Sequence, residues 1–135
     1  MLKKKEREII IKVIKEILQK DPRVIFSYLF GSFLDGENFN DIDVGVYVKE
    51  EVNPFVLQAE LKTKISEELG KEGYKKEADF FDVRVLNEAP FYILGEIMSE
   101  GLLLVDKDFD LRSRIAEEIS FKYRECAGML REAFG

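Results

Sequence analysis

Val24-Ile25-Phe26-Ser27-Tyr28-Leu29-Phe30-Gly31-Ser32 and, past residues 33–40, Asp41-Ile42-Asp43-Val44-Gly45-Val46-Tyr47-Val48 are the two stretches whose reading decides the fold. The first is apolar from Val24 to Phe30 except at Ser27. A continuous run of that length describes a strand buried on both faces, and therefore a central one. The second alternates strictly. Successive side chains of a strand point to opposite faces, so Ile42, Val44, Val46 and Val48 share one face and Asp41, Asp43, Gly45 and Tyr47 the other. The segment between them is turn-rich, with Gly31, Gly36, Asn38 and Asn40.

Upstream, Ile10, Val13, Ile14, Ile17 and Leu18 recur at helical spacing and predict a helix over residues 3–20. Asp21-Pro22 stops it, because the residue before proline avoids helical backbone. Downstream, Pro54 opens a helix over 54–69 whose buried stripe is Val56, Leu57, Leu61, Ile65 and Leu69, and Gly70 and Gly73 end it. Residues 80–86 read as a further strand, with Phe81, Val83 and Val85 on one face and Asp82 and Arg84 on the opposite one. Pro90 starts a helix that Gly101 closes, and 102–105 form a short strand. Asp108 caps a last helix through 134, with an apolar stripe of Leu111, Ile115, Ile119, Tyr123, Cys126 and Leu130. No repeat, low-complexity segment or linker interrupts this order. It predicts one α/β (α+β) domain over residues 1–135, with a small mixed sheet, helices packed mainly on one face, and an open acidic side opposite.

The acidic side carries the chemistry. Residues i and i+2 of a strand lie about 7 Å apart on one face, so Asp41 and Asp43 are placed to share a cation, and Asp82 on another strand can join them. Mg²⁺ prefers carboxylate oxygens and binds nucleotide phosphates. Two such ions stabilise both the attacking and leaving oxygens of a phosphoryl displacement, and Asp82 is placed to accept the proton of an attacking hydroxyl. Clustered without cations, three carboxylates repel one another, which argues against a merely solvated strand end. Taken alone, an Asp-x-Asp pair, a Gly-Ser or one strand aspartate is each commoner as plain structure. Asp79 rivals Asp82 as the third acid, but the alternation puts it on the Phe81 side. Gly31 permits a tight turn and close backbone approach, where Ser32 and the following N–H groups can hold phosphates. Arg84 either contacts a phosphate or pairs with an acid, and Tyr47 either stacks on a base or packs.

Composition narrows the field. Histidine is absent from the 135 residues, which removes Ser-His and Cys-His nucleophiles and the usual zinc sites. A net charge of −6 without a long basic run disfavours a direct nucleic-acid binder. The single cysteine, Cys126, excludes an internal disulfide and is expected to be a buried thiol. No leader-like or membrane-spanning run is visible, so a cytoplasmic location without a membrane partner is expected.

Leu29-Phe30-Gly31-Ser32, Asp41-Ile42-Asp43-Val44 and Asp82 leading into Val85-Leu86-Asn87-Glu88-Ala89-Pro90 together resemble the minimal nucleotidyltransferases of the DNA polymerase β superfamily. The last segment, continued through Ile93 to Gly101-Leu102-Leu103 and Asp106, is similar to the MntA-type antitoxins. The resemblance covers nearly the whole chain. It implies a nucleotidyltransferase fold and transfer of AMP from ATP with release of pyrophosphate. It also implies two Mg²⁺ held by Asp41, Asp43 and Asp82, and a triphosphate held by Gly31 and Ser32 with Arg84 nearby. The partner implied is a HEPN-family ribonuclease toxin, neutralised by adenylylation of a tyrosine. Two features depart from the family: the spacer between Ser32 and Asp41 is short, and Phe33 stands where an arginine is usual. An antitoxin that acts as a binding module with little or no catalysis, and nucleotidyl transfer to a small molecule, remain the alternatives. Homo-oligomerisation is left open.

Overall fold

A computed structural model describes residues 4–35 and 41–134. The elements are α1 (Lys4–Lys20), β1 (Val24–Phe30), α2 (Ser32–Asp35), β2 (Ile42–Val48), α3 (Pro54–Lys71), β3 (Phe81–Val85), α4 (Phe91–Glu100), β4 (Leu102–Asp106) and α5 (Phe109–Phe134), with one 3₁₀ turn at Ala78–Phe80. Gly36, Asn38 and Asn40, expected in a turn-rich loop, lie outside the described residues.

The four strands form one mixed sheet in the order β3-β2-β1-β4. β1 is antiparallel to both β2 and β4, whereas β2 and β3 run parallel. The continuous apolar run thus occupies an interior position, with neighbours on both sides to bond its backbone. The antiparallel register places Phe30 opposite Asp43, and the parallel register places Asp43 opposite Asp82. These two registers position the site.

On one face of the sheet, α1 and α3 close the larger core. Ile10, Ile14 and Leu18 of α1 and Leu57, Leu61, Ile65 and Leu69 of α3 meet Ile42, Val44, Val46, Phe81 and Val83 of the strands, all of them buried. Fully burying each such side chain contributes about 1.5–3 kcal/mol. Local chemistry sets the ends of these helices. The side chain of Asn53 accepts hydrogen bonds from the backbone N–H groups of Phe55 and Val56 at 3.0 and 3.2 Å, capping α3 ahead of Pro54. Gly73, at φ +87°, takes the left-handed conformation just past the end of α3. After α1, Arg23 donates from its backbone to Asp21 at 2.9 Å and returns a side-chain bond of 2.8 Å, turning the chain into β1.

The opposite face is less open than expected. Phe26 and Tyr28 of β1 are large apolar side chains there, and α4 and α5 cover them with Leu94, Ile97 and Ile119. Gly95 lets the two helices meet closely, since a Cβ there would lie 2.8 Å from Tyr123 and 2.9 Å from Ile119. The cover stops before the carboxylates, so the acidic part of this face stays accessible. The expected stripe of α5 is buried only at Ile119; Tyr123 is exposed and Cys126 is exposed, not a buried thiol. Val56, in the exposed first turn of α3, is likewise exposed. The side chain of Leu130 lies outside the described residues.

Candidate active site

Asp41 stands immediately before β2, Asp43 within it and Asp82 within β3. One carboxylate oxygen from each of the three lies within 4.8 Å of the others, and all three side chains are partly buried. Parallel pairing brings Asp82 beside Asp43, and the two-residue strand period brings Asp41 to the same face. Asp79 sits exposed in the 3₁₀ turn and is not part of this group.

Gly31 closes the site from the β1 side. Its φ is +83°, a left-handed conformation that other residues adopt at a cost. A Cβ at Gly31 would collide with Oδ2 of Asp43, so the turn backbone lies directly against that carboxylate. Ser32 is exposed and opens the short helix α2, and the Leu34 N–H donates to the Gly31 carbonyl at 3.2 Å. Phe33 turns the other way and is fully buried in the core under α1, where the Arg7 guanidinium lies 4.2 Å from its ring centroid and donates to its carbonyl at 2.5 Å. The side chain after Ser32 is therefore a packing residue in this chain.

Arg84 is the cation of the site. Its Nε and one terminal nitrogen both donate to Oδ2 of Asp82 at 2.9 Å. It also lines, with Asp43 and Gly31, a cavity of about 320 Å³ bounded on the far side by Ile93, Ile97, Glu96 and Glu100 of α4. The pairing with an acid is thus formed, and the same residue lines the cavity beside Asp43 and Gly31. Tyr47 stacks on Phe26 at 4.8 Å between ring centroids, so it packs within the sheet face.

The electrostatics follow from this geometry. Asp43 is pushed up to about 6, first by burial and then by the charges of Asp41 and Asp82, with Arg84 acting in the opposite sense. Arg84 is held above its usual value, mainly by its bond to Asp82. A group of carboxylates that holds one proton reluctantly released is a poor structural element and a good receptor for divalent cations. The donor set is oxygen only, which suits Mg²⁺ or Mn²⁺ and not a thiolate- or imidazole-seeking metal.

Two groups of residues support the site in ways the sequence reading did not assign; the first lies in the segment 85–90 that carries the family resemblance. The Asn87 side chain accepts from the Val48 N–H at 2.9 Å and donates to the Val48 carbonyl at 2.6 Å, pinning the end of β2 to the chain leaving β3. The adjoining Leu86 packs over Gly45, where a Cβ would lie 2.9 Å from it. The segment from Val85 to Pro90 thus fixes the spacing of the two acid-bearing strands. Glu96 and Glu100 were missed as well. Their spacing of four residues on α4 marks a shared face, but only the tertiary path of α4 shows that the face looks toward Asp43.

Comparison with known proteins fits this arrangement. The family model described as "Polymerase beta, Nucleotidyltransferase" matches residues 12–110, most of the chain, including all three aspartates. No curated protein sequence matches significantly. Among solved structures, a point mutant of a MntA–HpeT toxin–antitoxin is similar with a TM-score of 0.60 at 19% identity, covering 100% of both chains. A tri-AMPylated Shewanella oneidensis HEPN toxin in complex with MNT antitoxin gives a TM-score of 0.57 at 18% identity, covering 99% of this chain and 100% of that one. A toxin–antitoxin with AMP-PNP gives 0.56 at 18% identity, covering 96% and 98%. At these identities the likeness speaks to the fold alone. With most of its length matched by the family model, the chain belongs to the polymerase β nucleotidyltransferase family.

Proposed function

We propose that this protein is a metal-dependent nucleotidyltransferase that moves AMP from ATP to a hydroxyl of a partner protein, a tyrosine of a HEPN-family toxin. The observation that carries the reading is the meeting of Asp41, Asp43 and Asp82 within 4.8 Å beside the left-handed turn at Gly31. The toxin partner is supported by the solved structures of the same fold, one of which is a tri-AMPylated HEPN toxin bound to an MNT antitoxin and another a toxin–antitoxin with AMP-PNP.

Asp41, Asp43 and Asp82 would hold two Mg²⁺, which supply charge neutralisation of the triphosphate and of the oxygens on either side of the α-phosphorus. The chain's own groups do the rest. Gly31 and Ser32 approach the terminal phosphates with their backbone, and Arg84 leaves or shares Asp82 to meet a phosphate oxygen. The acceptor oxygen attacks the α-phosphorus, the bond from that phosphorus to the bridging oxygen breaks, and pyrophosphate departs. The hydroxyl proton passes to Asp82. Arg84 takes up the cationic role that Phe33, turned into the core, does not fill.

The test uses ATP labelled at the α- or the γ-phosphorus, with Mg²⁺ and a HEPN-family protein. Label from the α position should appear on the partner and label from the γ position should not. Transfer of the γ label would make the protein a kinase, and no transfer with Mg²⁺ or Mn²⁺ would leave it a non-catalytic binder. No helix among the described residues is long and apolar enough to cross a membrane.

A further inference from the structure

We infer that the groove between α4 and α5 is the docking track for a basic, apolar segment of the acceptor protein, the segment that adjoins the acceptor hydroxyl. This rests on the transfer reading above and names how the acceptor is recognised. The groove encloses about 620 Å³ and is lined by Tyr92, Gly95, Ile119 and Tyr123 along its floor and by Glu96 and Glu100 along one side. Glu96 and Glu100 also form the far wall of the cavity that holds Asp43 and Arg84. The two spaces therefore share a wall, and a chain lying in the groove passes these two carboxylates to reach the acid cluster. That continuity is what separates this groove from an ordinary apolar patch.

The chemistry of the occupant follows from the lining. Tyr92 is 56% exposed and Tyr123 44%, and both line the groove. Aromatic side chains left out of the core in this way suit an apolar anchor. No lysine or arginine is found among the described residues that line the groove, whereas both of its charged residues are glutamates. The net charge of −6 adds an attraction for a cationic partner. The walls are also held in place: the Tyr123 hydroxyl donates to the Tyr92 carbonyl at 3.0 Å, and the Phe91 ring meets the Tyr123 ring edge-on at 5.3 Å. A rigid groove binds without first ordering itself.

Cys126, exposed and three residues beyond Tyr123, offers a reporter at the groove's end. The full chain is labelled there with an environment-sensitive dye and titrated, without ATP or metal, with a short peptide of lysine, leucine and one tyrosine, and with a counterpart carrying glutamate for lysine. Saturable binding of the basic peptide alone is expected. Glu96→Lys/Glu100→Lys should weaken it at least about tenfold at low salt, Glu96→Gln/Glu100→Gln by less, and added salt should weaken the wild-type complex most. Equal affinity for both peptides, equal affinity in the wild type and both double variants, or no saturable change would each overturn the proposal. Circular dichroism confirms that the variants fold. Because neither nucleotide nor metal is present, a failed titration leaves AMP transfer standing, and failed transfer leaves the titration standing.

Discussion

The two faces of the sheet are built from the same strands to opposite ends. On β2, Ile42, Val44 and Val46 are sealed beneath α1 and α3, while one residue away Asp41 and Asp43 face the other side. The first face is a dry contact of branched aliphatic side chains. The second holds aromatic packing at the β4 side, three mutually repelling carboxylates at the β3 side, and a groove between its helices. The lesson is a division of labour. A face that stabilises by burial lets the opposite face carry an arrangement that is costly by itself, and the raised Asp43 is the sign of that cost.

The comparison is broken most severely by Asp43→Asn. The substitution is nearly isosteric and removes a charge the proposed reaction needs, so transfer of label from ATP should fall by about 10³-fold, the scale of losing a group that stabilises transition-state charge. The fold should persist by circular dichroism; retained transfer would separate chemistry from the acid cluster. Leu61→Ala strikes the other face. Leu61 is buried between α3 and the strands, and truncation there should cost about 3 kcal/mol of unfolding free energy in a denaturant titration. Transfer per folded molecule should stay near wild type, since no atom of the site moves far; a large loss of turnover in fully folded material would deny the separation of faces.

A smaller effect sharpens the contrast. Asp43 titrates near 6 in the fold against an ordinary 3.8. The folded state therefore favours its proton, and the stability this contributes is complete below pH 3.8 and lost as pH rises through about 6. In metal-free buffer at pH 8, Asp43→Asn should be more stable than wild type by about 1 kcal/mol, allowing for solvent screening of a partly exposed group. Thermal melts across pH check this: the gap should close toward pH 4. A gap that is constant with pH would mean that neither burial nor the neighbouring carboxylates hold the Asp43 proton.

Much of this architecture was legible before the structure. Strict alternation in β2 and β3 assigned the aspartates to one face, and the unbroken apolar run placed β1 inside the sheet. The preference for Asp82 over Asp79 came from the same alternation. What failed were judgements about cover. Periodicity says which side chains of α5 share a stripe but not where the neighbouring helix ends, so Ile119 is buried while Tyr123 and Cys126, farther along, are exposed. Glu96 and Glu100 gave no local sign, because their importance comes from where α4 crosses the sheet. Phe33 was read as a missing cation; its aromatic side chain is satisfied by the core beneath Arg7.

The most direct measurement is titration of Mn²⁺, in place of Mg²⁺, into protein with a non-hydrolysable ATP analogue, followed by electron paramagnetic resonance. Bound metal should form with the wild-type chain and be lost at the same concentrations in Asp43→Asn and Asp82→Asn, while Asp79→Asn behaves as wild type. Equal binding by all four proteins would contradict the claim that Asp41, Asp43 and Asp82 are the metal-holding centre.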